Sequence, residues 1–175
     1  MSTWRRAYQA GDTIIEVLLA IVIISVVITG AYQATNSGLR IGQNSIERTQ
    51  AAELTSAQAE ALRSLRDLKG TSATMATAWT AAAAKATTTL PAANVCASGG
   101  GTPTSGSNPF WLNGSTNPVT VTTGTTTSNY LKYWVEAYQP SASSGYIDFY
   151  VMGCWQALGE PAIQNIGLVV RLGTN

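Results

Sequence analysis

The chain has 175 residues, ten of them Lys or Arg and nine Asp or Glu, for a net charge of +1. A near-neutral chain carries no global field to gather nucleic acid, and its 11% of charged residues lies well below the ~25% of an average soluble domain, with Thr, Ser, Ala and Gly making up the difference. It has no histidine, which removes the commonest general base and metal ligand and excludes a Ser-His-Asp or Cys-His site.

Residues 1–11 are short and polar, with Arg5 and Arg6. Residues 14–34 are then almost wholly apolar and, apart from Glu16, uncharged, close to the ~20 residues that a helix needs to span hydrocarbon. The arginines ahead of this run predict a cytoplasmic N-terminus. Glu16 is the anomaly, because a charged side chain at the centre of a membrane helix costs about 2.5–3.5 kcal/mol on insertion scales. It sits near the leading edge, where snorkelling to the interface is one answer; Asp12 by itself suits a helix N-cap.

The helical signal continues beyond the apolar run with a different face. Leu54, Ala57, Ala61, Leu65 and Leu68 recur at spacings of three and four, which places them on one stripe. Glu47, Arg48, Glu53, Glu60, Arg63, Arg66 and Asp67 lie between them, and Arg63 and Asp67 are spaced to pair. One helix over 13–68 follows, roughly 80 Å long at 1.5 Å per residue: a membrane and assembly half over 12–34 and an amphipathic half over 35–69. Gly30, Gly38 and Gly42 make the join its soft point.

Residues 70–175 form the head. An Ala-rich stretch over 72–88 offers a short second helix, and no side chain from 86 to 131 is charged. Residues 86–129 read as a Thr/Ser/Gly-rich surface loop, with glycosylation or an adhesive face as alternatives; Asn113 begins an Asn-Gly-Ser sequon. Four runs alternate with period two: 117–123, 130–138, 146–156 and 163–172. Leu131, Tyr133, Val135 and Ala137 share one face, as do Ile147, Phe149 and Val151, and Ile166, Leu168, Val170 and Leu172. The expected fold is α+β: a long N-terminal helix whose 54–68 stripe covers a small antiparallel sheet of about four strands. Cys96 and Cys154 lie beyond the apolar run, so an oxidising compartment favours a disulfide over two separate buried thiols.

The head shows no catalytic constellation. Asp148 and Glu136 fall on neighbouring expected strands, on the face opposite the apolar one, and read as solvated strand charges rather than a glycosidase pair. Gly99–Gly101 lack the Lys and Ser/Thr of a phosphate loop. Lys85, Lys132 and Arg171 balance Glu136, Asp148 and Glu160, so no basic stripe suggests DNA, and Trp111, Trp134 and Trp155 read as packing residues ahead of a sugar- or base-stacking role. No enzyme activity, metal or cofactor is expected.

At "AGDTIIEVLLAIVIIS" the sequence resembles the processing site of type IV prepilins and pseudopilins: a short basic leader ending in glycine, then glutamate as the fifth mature residue inside an apolar helix. Gly11 matches the leader glycine, Asp12 the first mature residue and Glu16 the glutamate; the family usually has phenylalanine where this chain has Asp12. The resemblance implies cleavage between Gly11 and Asp12 by a prepilin peptidase and methylation of the new amine on Asp12. It also implies single-pass residence in the cytoplasmic membrane with the head outside. Assembly with other pilin subunits on an assembly platform then gives an extracellular pilus or cell-envelope filament. Glu16 would pair with the ammonium of a neighbouring subunit and so set the axial step. An uncleaved signal anchor, a conventional signal peptide and a twin-arginine signal fit the residues less well. A membrane-anchored adhesin or DNA-capture module that does not polymerise is the alternative function. An anchored hydrolase resting on Asp148 is a further one.

Overall fold

The computed structural model describes residues 9–92, 96, 103–113, 119–128, 130–157 and 162–174. Arg5, Arg6, Gly99–Gly101 and Glu160 lie outside them. The chain divides into two compact units, Met1–Gln43 and Asn44–Asn175.

Helix α1 (Gln9–Leu68) runs without interruption, so Asp12 lies inside it and not at an N-cap. In the first unit the helix is exposed around its whole circumference from Ile14 onward, Gly30, Gly38 and Gly42 included, and almost wholly apolar over 14–34. In the second unit it has a buried stripe that overlaps the expected one, at Leu65 and in the partly buried Leu54 and Ala61, but is rotated from it. Ala51, Thr55, Gln58, Ala59, Leu62 and Leu65 are buried, whereas Ala57 and Leu68 are exposed. The true stripe contains two polar residues, each satisfied: Thr55 Oγ1 donates to Ala51 O at 3.0 Å, and Gln58 bonds the backbone of Leu112. Nor do Arg63 and Asp67 pair. Arg63 bonds Glu60, and Arg66 bonds Asp67 at 3.0 Å.

Helix α2 (Ala73–Ala83) follows where the Ala-rich stretch lies. The Ser72 hydroxyl caps it by accepting from Thr74 N. Its Ala78, Trp79 and Ala82 are buried, and Trp79 packs on Phe149 with ring centroids 5.9 Å apart.

Among the described residues the sheet has six antiparallel strands where about four were expected. They are β1 (Phe110–Asn113), β2 (Thr120–Thr123), β3 (Thr126–Ser128), β4 (Leu131–Tyr138), β5 (Tyr146–Gln156) and β6 (Ile163–Gly173). The order is β2-β1-β4-β5-β6, with β3 also pairing β4. The additional strands, β1 and β3, are only four and three residues long and sit in the Thr/Ser/Gly-rich segment, where length and composition both hide period two. Gly124, at φ 104°, turns the chain between β2 and β3 in a conformation that disfavours any side chain.

The three longer strands bury the faces their alternation predicts. Leu131, Tyr133, Val135, Ala137, Ile147, Phe149, Val151, Val170 and Leu172 are all buried, and Ile166 and Leu168 partly so. Burying one such Leu, Ile, Val or Phe contributes about 1.5–3 kcal/mol. Gly153 permits close approach of helix and sheet. A Cβ there would stand 3.0 Å from Ile166 Cγ2, 3.3 Å from Leu131 Cδ1 and 3.4 Å from Thr55 Cγ2.

Candidate functional site

Two regions carry chemistry beyond folding: the N-terminal helix and the outer face of the sheet. On the helix, Ile14, Ile21 and Ile28, one every two turns, are 63%, 55% and 63% exposed, and the Val, Leu and Ile residues on the other faces are equally so. No described residue of this chain covers them, which suits a helix whose cover is lipid or other chains. The polar groups within the run are compatible with either. Ser25 Oγ donates to Ile21 O at 2.7 Å and Thr29 Oγ1 to Ser25 O at 2.8 Å, so each hydroxyl is satisfied within its own helix. Among the described residues one apolar helix is long enough to cross a membrane, and it lies near the N-terminus. The exposed apolar surface continues past the span through Leu39, Ile41 and Ile46.

Gly11, Asp12 and Glu16 fall within little more than one turn of this helix. Glu16 is exposed and has no ion pair among the described residues. It is the one acidic or basic residue in the apolar run over 14–34.

On the head, Cys96 and Cys154 form a disulfide across 58 residues of sequence. It fastens the uncharged segment to β5, on the face of the sheet away from α1. A second fastening lies beside it. Glu136 is fully buried; its Oε1 accepts from Thr104 N at 2.9 Å and from Trp134 Nε1 at 2.8 Å, while Oε2 has no hydrogen-bond partner among the described residues. Trp134 is itself fully buried, packed with Cys96 and Cys154. The 86–129 segment is therefore not simply a surface loop, since it contributes strands and closes over the β4 side of the sheet.

The reading of Glu136 and Asp148 as solvated charges is corrected by the same geometry. Asp148 is 5% exposed and takes two hydrogen bonds from Arg171, from Nε at 2.7 Å and Nη2 at 2.8 Å. These bonds raise the Arg171 pKa above its ordinary value. Both carboxylates do lie on the face opposite the core, but each is committed to its own donors, which leaves no acid–base pair. Among the described residues no group of three or more His, Cys, Asp or Glu gathers as a metal site. Trp155 is buried and Trp111 partly so, both in packing contacts. Asn113, the sequon residue, ends β1.

Sequence reasoning missed Gln58 and the cluster around Arg171. The first is a polar residue on a helix face, which reads as solvated. The second is legible in retrospect, because Tyr146, Asp148 and Tyr150 alternate with the core residues Ile147 and Phe149.

Residues 6–32 match the prokaryotic N-terminal methylation motif, which is typical of type IV prepilins and pseudopilins, structural and not catalytic proteins. No curated protein matches the chain, and no solved structure does.

Proposed function

From a methylation motif laid along an exposed apolar helix, we propose that this chain is a structural subunit of a type IV pilus-like filament. The motif over residues 6–32 carries the reading; the exposure of the helix that bears it supports it. In the membrane the helix meets lipid. On assembly the same side chains exchange lipid for the identical helices of other copies.

Cleavage between Gly11 and Asp12 creates an ammonium group on Asp12, the site of methylation. Glu16 then pairs with the ammonium of a neighbouring subunit, which offsets the cost of holding a carboxylate in an apolar environment. The Asp12 side chain adds a second carboxylate beside the new amine. The head stands outside the cytoplasmic membrane, where the disulfide forms in an oxidising compartment. Partners are other pilin subunits, a prepilin peptidase and the assembly platform.

The test is intact-mass analysis of the membrane-extracted protein from cells with and without the peptidase. The expected species in the first lacks residues 1–11 and carries one added methyl group; the second keeps the whole chain. Full-length chain in both refutes the reading. Processed chain that never enters sheared surface filaments restricts it to a membrane-anchored module.

A further inference from the structure

Toward the end of α1 the charged side chains answer one another, Arg63 on Glu60 and Arg66 on Asp67. Arg48 and Glu53 do not. Both are exposed, and neither has an ion pair or hydrogen bond among the described residues. Five residues apart, they stand about 140° from each other around the helix axis at 3.6 residues per turn. They face nearly opposite sides and cannot meet within one chain. Lipid does not cover them either, because Arg48 lies 14 residues beyond the apolar run over 14–34, about 20 Å along the helix.

The surface on the Glu53 side is shaped. Ser45, Ile46, Thr49, Gln50 and Glu53 line a shallow groove. Ile46 is 60% exposed and continues the apolar surface that runs through Leu39 and Ile41. Gln50 is held in place, its Oε1 accepting from the Tyr130 hydroxyl at 2.6 Å. An apolar floor that ends in a carboxylate suits an arginine, whose stem lies along Ile46 while its fork reaches the acid. Each copy carries both halves, the cation on one side and the groove nearly opposite. Such a contact repeats head to tail without closing on itself.

We propose that Arg48 of one copy lies in this groove of the next copy and pairs with Glu53; the proposal rests on the filament reading. In an array of identical copies every atom advances by the same axial step. Pairing the ammonium on Asp12 with Glu16, four residues on, sets that step near 6 Å, within the reach of one side chain. Arg48 and Glu53 require about 7.5 Å in the same direction. Arg40 also has no ion pair among the described residues, but it is 13 residues from Glu53, about 20 Å, and falls outside the step. The pair thus fixes the register of neighbouring helices past the apolar run, as Glu16 does within it.

The experiment expresses each variant as the only copy of the full chain and measures its amount in sheared surface filaments against its membrane level. Arg48→Glu and Glu53→Arg should each lower that ratio about tenfold, equal to about 1.4 kcal/mol, without moving the melting temperature. Arg48→Glu/Glu53→Arg should restore it. In parent-like filaments of Arg48→Cys/Glu53→Cys, mild oxidation should give a ladder of covalent multimers, and Arg40→Cys/Glu53→Cys should give none. Normal filaments from both single reversals, or a double reversal as defective as either, overturn the proposal and leave the filament reading standing. A ladder from the Arg40→Cys/Glu53→Cys chain alone overturns it in favour of a longer step. Processed parent chain that forms no filament at all overturns it together with the filament reading.

Discussion

Replacing Gln58 with Met tests how helix and sheet are joined. Strand β1 pairs with β2 along its length but meets β4 only through Phe110 and Val135, because β3 occupies the β4 edge at Leu131, Lys132 and Tyr133. Two residues past Phe110, Leu112 therefore presents an N–H and a C=O with no strand beside them. Gln58 fills that gap from α1. Its Nε2 donates to Leu112 O and its Oε1 accepts from Leu112 N, both at 2.9 Å, and the side chain is 8% exposed. Met keeps the volume and removes both bonds. Each backbone group left buried without a partner costs about 1–3 kcal/mol, so the variant should lose roughly 2–6 kcal/mol, a large share of the ~5–15 kcal/mol of a typical domain. At about 2–4 °C per kcal/mol the melting temperature should drop by about 4 °C or more. Hydrogen exchange at the Leu112 amide should quicken in the variant under native conditions. A melting temperature within about 1 °C of the parent, with that amide still protected, would refute the reasoning.

Glu16→Ala should insert and fold normally yet drop out of sheared filaments in competition with the parent chain. Stranding one member of a buried ion pair costs about 3–5 kcal/mol, and normal incorporation would show that the carboxylate merely snorkels. Replacing Cys96 and Cys154 together with Ser should destabilise the head by about 4 kcal/mol on the chain-entropy account, measured by denaturant unfolding; an unchanged midpoint would mean that Glu136 alone holds the segment. Gly153→Ala should lower the melting temperature, because its methyl meets Ile166 and Leu131 at 3.0 and 3.3 Å; a neutral result would mean that both side chains rotate aside. Burial raises the Tyr133 phenol above its usual 10.0, so the unfolded chain gives up that proton first as pH rises. The associated stability is present in full below about pH 10 and lost above it; a decline already complete by about pH 9 would point to another group.

The existence of α1, its end at Leu68 and the faces of β4, β5 and β6 were legible because each rests on a long, local period, whereas the start of α1 at Gln9 precedes the apolar run that marked it in sequence. The stripe on α1 was misread for a different reason. Thr55 and Gln58 look solvated in sequence, and what makes them burial-competent is a partner either one turn back or 54 residues away. Glu136 and Asp148 were misread by the same logic, since their donors, Thr104 and Arg171, belong to distant segments. Strands β1 and β3 were too short for any period to emerge. At the N-terminus the position is reversed. Gly11, Asp12 and Glu16 stand out in the sequence, and among the described residues Glu16 has no ion pair; the pairing proposed for it needs a second chain.

The disulfide lies against a fully buried indole, that of Trp134, in a cluster of three. A disulfide is an efficient acceptor of an excited electron from an adjacent indole, so Trp134 should emit weakly while the bridge is intact. Opening the bridge removes the quencher, and brightening from one of the five tryptophans becomes an optical record of the redox state of the head. Oxidation of the head can thus be followed in the native chain without a label, by light the protein emits itself.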